Sequence, residues 1–213
     1  MNRPRPRPLR IVLFALLGLA VVVLAGVLVV LIPILTHQSA GGSGQEIPVD
    51  YVSEVSATGA DDRTRVLRVD TPDGSPAKLD EIEPGDTLVV SGSGFNAGIG
   101  IYVAICGIPA SPDEKPGPCL GGVPEGAEAG DASAETGLSS AWITDAWAWR
   151  AFATQGYDDA EAGSFTTELT VPDAVVDGFD CRVERCALAT RADHTAASDR
   201  VQDMLLPVAF ARD

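Results

Sequence analysis

Phe165-Thr166-Thr167-Glu168-Leu169-Thr170-Val171 is the stretch on which the fold assignment turns. Phe165, Leu169 and Val171 share one face at a period of two, while Thr166, Glu168 and Thr170 share the other, the pattern of a half-buried β-strand. Working outward, the same kind of run, rich in Val, Ile, Thr, Tyr and Phe, recurs at 65–69, 87–91, 99–106, 185–190 and 204–210. Gly, Pro, Asp and Ser separate the runs. Pro84-Gly85-Asp86 reads as a turn before a strand, and the Ser91–Gly98 segment supplies glycines for a wide connection. Short strands with this punctuation predict an all-β, immunoglobulin-like antiparallel sandwich, with one face of each sheet packed inward and the other wet.

The chain has 213 residues, with 15 Lys+Arg against 30 Asp+Glu and a formal charge of −15. Arg3, Arg5, Arg7 and Arg10 hold four of the cations, so the remainder carries eleven against thirty, a balance of −19. Nucleic acid and anionic lipid head groups are bound by clustered Lys and Arg, so this acidic balance excludes a nucleic-acid partner.

From Ile11 to Leu35 there are 25 uncharged residues dominated by Leu, Val, Ile and Ala. As a helix they cover about 37 Å, enough to span a bilayer core with some tilt. A cleaved signal peptide usually has a shorter apolar region and ends in a small-x-small site, which Thr36-His37-Gln38-Ser39-Ala40 does not offer. The reading is therefore an uncleaved single-pass anchor in the plasma membrane. Positive flanks stay inside, which puts residues 1–10 in the cytoplasm and everything after 35 outside. Residues 36–64, with Gly41-Gly42-Ser43-Gly44, read as a flexible tether, and residues 65–213 as the folded domain.

An exported domain meets oxidising conditions, and an even cysteine count then suggests disulfides. Of the three possible pairings the local one is favoured: Cys106 with Cys119 and Cys181 with Cys186. Spacings of this kind, with two histidines in the whole chain, do not suggest a zinc site, and no metal or other cofactor is expected. Leu120 to Ser140 has almost no large apolar side chain and reads as a solvated loop. Asp61-Asp62 and Asp158-Asp159-Ala160-Glu161 lack the spacing of a calcium loop and read as solvated charge.

Four segments together resemble the neocarzinostatin family: Asp86–Phe95, Ile101–Cys106, Gly163–Val171 and the C-x4-C loop Cys181–Cys186. The resemblance runs from about Val66 to Phe210. It implies a small actinobacterial immunoglobulin-like sandwich with two short-range disulfides, which in that family holds an enediyne in a cleft beside the disulfide loops. Only the cysteine pairs carry over residue by residue. Nine residues, Pro172 to Asp180, stand before Cys181, too few for the aromatic-bearing hairpin that walls that cleft. The stretch Thr190–Asp203 is also similar to exported actinobacterial surface proteins, some of which accompany haem-uptake domains. Only that association suggests His194 or His37 as a haem ligand.

All three tryptophans, with Phe152 and Tyr157, lie between Trp142 and Tyr157, five of the twelve aromatics in sixteen residues. Trp and Tyr dominate binding hot spots, so Trp147, Trp149 and Tyr157 are the contact candidates. On a strand Trp147 and Trp149 would share an exposed face, with Trp142 and Phe152 inside. The competing reading makes the whole segment a satellite core that holds the insertion down. His194, with Asp193 and Asp199, could pass for a base with its orienting acid, but no nucleophile elbow accompanies it. A capped turn between two strands accounts for these residues better. The sequence thus predicts no catalytic residue. It predicts a membrane-anchored extracytoplasmic binding or scaffolding module, an accessory to other envelope or membrane proteins. The alternative is a carrier or sensor of a small hydrophobic ligand in a cleft beside the disulfide loops.

Overall fold

The computed structural model describes residues 8–121 and 137–211, and the chain forms two compact units that part between His37 and Gln38. The first unit is one helix, α1 (Pro8–Thr36), with Pro33 in its last turn. It is long and apolar enough to cross a membrane, a description that a secretory leader near an N-terminus also meets. Where it ends, the Thr36 hydroxyl donates to the Ile32 carbonyl at 2.7 Å.

The second unit is an antiparallel β-sandwich. One sheet has the order β1-β2-β3-β6, built from β1 (Glu54–Thr58), β2 (Thr64–Asp70), β3 (Thr87–Ser93) and β6 (Phe165–Thr170). The other has the order β10-β9-β4-β5, built from β4 (Ile101–Gly107), β5 (Ser140–Ile143), β9 (Cys186–Ala192) and β10 (Met204–Val208). Every strand pair in both is antiparallel. The six expected strands are all present. Phe165, Thr167 and Leu169 of β6 point inward and alternate with exposed Thr166 and Glu168.

Leu67, Val69, Leu88, Val90, Phe165 and Leu169 from the first sheet meet Ile101, Val103, Ile105, Leu188 and Leu206 from the second in one dry cluster. Burying a side chain of this size stabilises by about 1.5–3 kcal/mol. Gly92 is required here, because a Cβ would run into the Phe165 and Phe95 rings that pack edge to face above it.

The expectation of one wet face fails for the second sheet. β10 is buried along its whole length, and β4 and β9 nearly so. The outward residues Ala104, Cys106, Ala187, Ala189 and Leu205 form a second cluster, covered by Ile47, Ile108 and Cys119. Small outward side chains leave room for chain to lie over them. Part of that cover is the supposed tether, and residues 36–64 do not behave as a free linker. Ala40 N–H donates to Asp199 at 3.1 Å, and Gly42 bridges Arg200 in parallel. The Gln45 amide exchanges two hydrogen bonds with the backbone of Leu205, at 2.7 and 2.8 Å. Arg185 donates to the Pro48 carbonyl, and β1 then joins the first sheet. A glycine-rich composition marked this segment as flexible, but its backbone groups and one amide find partners along the edge of β10.

Both local disulfides are formed, Cys106–Cys119 and Cys181–Cys186. The nine residues before Cys181 do hold a hairpin, against expectation. β7 (Val175–Val176) pairs with β8 (Phe179–Asp180) around Asp177-Gly178, both at positive φ, and Phe179 packs on the core. Most of the loop expected between Leu120 and Ser140 lies outside the described residues. At its ends Leu120 is fully buried and the Leu138 carbonyl accepts Thr170 N–H at 2.8 Å.

Candidate functional site

Tyr102 on β4 stands opposite both Trp142 on β5 and Arg191 on β9, so the register alone brings three large side chains together on the outer face. The Tyr102 and Trp142 rings lie 5.7 Å apart, and the Arg191 guanidinium sits 5.9 Å from the centre of the Tyr102 ring. Just past β9, Asp193 caps the 3-10 turn His194–Ala196. Its buried carboxylate accepts from Thr195 N–H at 2.8 Å and from the Trp142 indole N–H at 2.9 Å. Gly100 makes space for this, since a Cβ there would collide with the Asp193 carboxylate.

Asp193 therefore fixes both the indole and the turn that presents His194. The His194 ring meets Trp142 at 5.2 Å and Trp149 at 4.7 Å, both edge to face, and its Nδ1 lies 3.0 Å from the Tyr102 hydroxyl. Burial pushes the Tyr102 phenol above its ordinary pKa, and the Asp193 charge adds to the effect. Four rings thus form one interlocked surface, with each edge-to-face contact worth about 0.5–1.5 kcal/mol beyond area burial.

Residues 147–152 are a helical turn and not a strand, with Arg150 N–H donating to the Ala146 carbonyl and Ala153 N–H to that of Trp149. On a helical turn, two residues apart means nearly opposite sides. Trp149 accordingly folds back onto His194, while Trp147 points away and is 76% exposed. Phe152, expected inside, is also 76% exposed, and Trp142 is half-buried. Tyr157, expected as a contact residue, belongs to the core: it packs on Phe165 and its hydroxyl donates to the Ile99 carbonyl at 2.9 Å. That burial drives its phenol far above the ordinary value.

Among the described residues the His194 ring meets Tyr102, Trp142 and Trp149, while the two carboxylates near it in sequence hold other groups. Asp193 is engaged by Trp142 and Thr195, and Asp199 accepts from Ala40 and Val201 N–H. Arg191 is held by a backbone carbonyl rather than by a carboxylate. It donates to the Pro116 carbonyl at 3.0 Å, and Lys115 beside it donates to that of Ala192. Burial, then the neighbouring Arg191 and Arg200 charges, lowers the Lys115 ammonium pKa.

Beneath this surface lies a buried polar layer that sequence reading missed. Arg65, wholly buried, holds Asp61 through two nitrogens at 2.9 and 2.6 Å and the Gln202 amide oxygen at 2.8 Å. Gln202 in turn exchanges hydrogen bonds with the backbone of Asn96, at 3.0 and 3.2 Å. Asp61, read from sequence as solvated charge, is the counter-ion that makes Arg65 tolerable. Burial pushes Asp203 up to about 7, despite Arg200 at 2.8 Å.

Beside the Cys181–Cys186 loop, at the far end of the same sheet, a hollow of about 190 Å³ is lined by Tyr51, Ile108, Arg182, Val183, Arg185 and Phe210. Drug-sized ligands occupy about 300–1,000 Å³, so this hollow suits a side chain better than a chromophore. A wider hollow of about 540 Å³, between Pro72, Pro76, Lys78, Ile82 and Leu88, touches neither disulfide.

Fold and site define a class: a two-disulfide immunoglobulin-like β-sandwich behind an apolar helix, with a ring cluster on one sheet end. Macromomycin, a solved structure of the neocarzinostatin family, is similar at 19% identity over 68% of this chain and 99% of its own, with a TM-score of 0.35. No protein-family model matches the chain, and no curated protein matches it. The fold assignment rests on the strand order and register given above.

Proposed function

We propose that this chain is a single-pass, membrane-anchored binding module whose sandwich lies outside the cytoplasm and engages another envelope or membrane protein without catalysing a reaction. The apolar helix, the arginines before it and two disulfides favour that placement. The observation that carries the binding role is the preorganised ring surface of Tyr102, Trp149 and His194. Its members are held by Asp193 and by one another, so little side-chain freedom is lost on contact. The ligand-carrier alternative draws less support, since the hollow beside the disulfide loop is small and the outer face of the second sheet is filled by the chain itself.

The test is affinity capture of the full chain from detergent-solubilised membranes, with mass spectrometry. A stoichiometric protein partner, lost by about 30-fold or more in a Trp149→Ala variant that still unfolds cooperatively, supports the reading, as hot-spot aromatics behave this way. A co-purifying chromophore or haem with no protein partner overturns it.

A further inference from the structure

We infer that Trp147 and Phe152 dip into the lipid surface and hold the sandwich with its ring-bearing end toward the bilayer. The inference rests on the anchor reading above and concerns the side of the turn that faces away from His194.

The first observation is chain length. Between Thr36, the last residue of the helix, and Ala40, whose N–H is held by Asp199, there are four peptide steps. Four residues span at most about 14 Å. A bilayer that holds the helix is therefore within reach of the end of the sandwich that carries Asp199. His194 and the Trp147 turn belong to that same end, because β9 runs directly into the 193–203 connection.

The second observation is composition. Ala146-Trp147-Ala148-Trp149-Arg150-Ala151-Phe152-Ala153 has a single charge, and that charge is positive. In a domain so acidic, this is a tip that a zwitterionic surface does not repel. Trp sits at the head-group level of membranes, with an apolar body and a polar tip, and an arginine stem lies along apolar surface while its head stays wet. Trp147 and Phe152 expose 76% each and touch no other ring of the cluster. The far end of the sandwich supplies a control: Val183 is 80% exposed there, beside the Cys181–Cys186 loop.

The test uses the full chain reconstituted into phosphatidylcholine vesicles, with part of the lipid brominated in its acyl chains and acrylamide as the aqueous quencher. All tryptophans of the chain lie in the sandwich, so the emission reports on it alone. Brominated lipid should quench a fraction of the emission, and Trp147→Ala should abolish that fraction. A tryptophan placed at the far end, by Val183→Trp, should be open to acrylamide and untouched by the lipid. Quenching of the wild type by acrylamide alone, in protein that resists alkaline carbonate extraction, overturns the lipid contact and leaves the anchor standing. Extraction by carbonate overturns both. Equal lipid quenching at Val183→Trp means the sandwich adsorbs without orientation, and the inference falls. A Trp147 open to acrylamide in vesicles but shielded in native membranes assigns it to a protein partner and also sinks the lipid contact.

Discussion

Where β4 finishes and β9 begins, the second sheet is closed by Cys106–Cys119 and Cys181–Cys186, and the surroundings are loose, with a hollow and an exposed Val183. Where β9 finishes, no covalent link is present among the described residues. Closure falls to Arg65, Asp61, Gln202 and Asn96, and to Asp193 beneath the rings. A disulfide acts mainly on the unfolded chain, so it asks little of the atoms around it. A buried charge is costly unless every partner is in place, so it dictates the position of its neighbours. The end that displays an ordered aromatic surface is the end built from buried charge.

The largest expected effect breaks the charged end. Arg65→Ala strips Asp61 of its guanidinium, leaves the Gln202 oxygen with the Asn96 N–H alone and empties a fully buried site, and should cost about 3–5 kcal/mol in denaturant unfolding. A loss below about 1 kcal/mol would show that the network is incidental. The covalent end should yield less. Replacing Cys106 and Cys119 with serine opens a loop of 13 residues' separation and should cost about 3 kcal/mol, with Cys181–Cys186, at a separation of 5, nearer 2. Neither replacement should change emission from the tryptophans at the opposite end. A third measurement separates the ends by pH. Asp203 titrates near 3.9 in an unfolded chain and at about 7 when folded. Between those values the folded form keeps a proton that the unfolded form has lost, so stability falls as pH rises from about 4 to 7 and then levels off. From pH 5 to pH 8 this group should remove roughly 2–3 kcal/mol. Asp203→Asn should flatten that part of the melting-temperature profile, and an unchanged slope would count against it.

The same contrast explains what could be read in advance. Phe165, Leu169 and Val171 announce a strand through local periodicity, and the cysteine spacings announce the loops. β1 escaped because its single large apolar residue is Val55, and β5 because four residues are too few to show a period. The outer cover went unseen because Ala104, Ala187 and Ala189 look like strand filler until something is seen to lie on them. Arg65 and Gln202 meet across 137 positions, and no local pattern encodes that pairing. Clustering of the tryptophans pointed to the segment whose rings meet Tyr102 and His194. The assignment of faces went astray because a period of two was applied to what is a helical turn, which sends Trp149 toward His194 and Phe152 outward, whereas Tyr157, beyond that turn, was grouped with them by clustering alone and belongs to the core.

The segment that runs from Ala40 to Pro48 along the second sheet has a mechanical consequence. It is gripped at Asp199, at Ala60, twice at Leu205 and finally at Arg185, from one end of β9 to the other. A pull on Gln38 along that line loads these grips together, in shear, and does not peel them away one at a time. A load applied at Gln38 is thereby shared along the second sheet before any strand has to leave it.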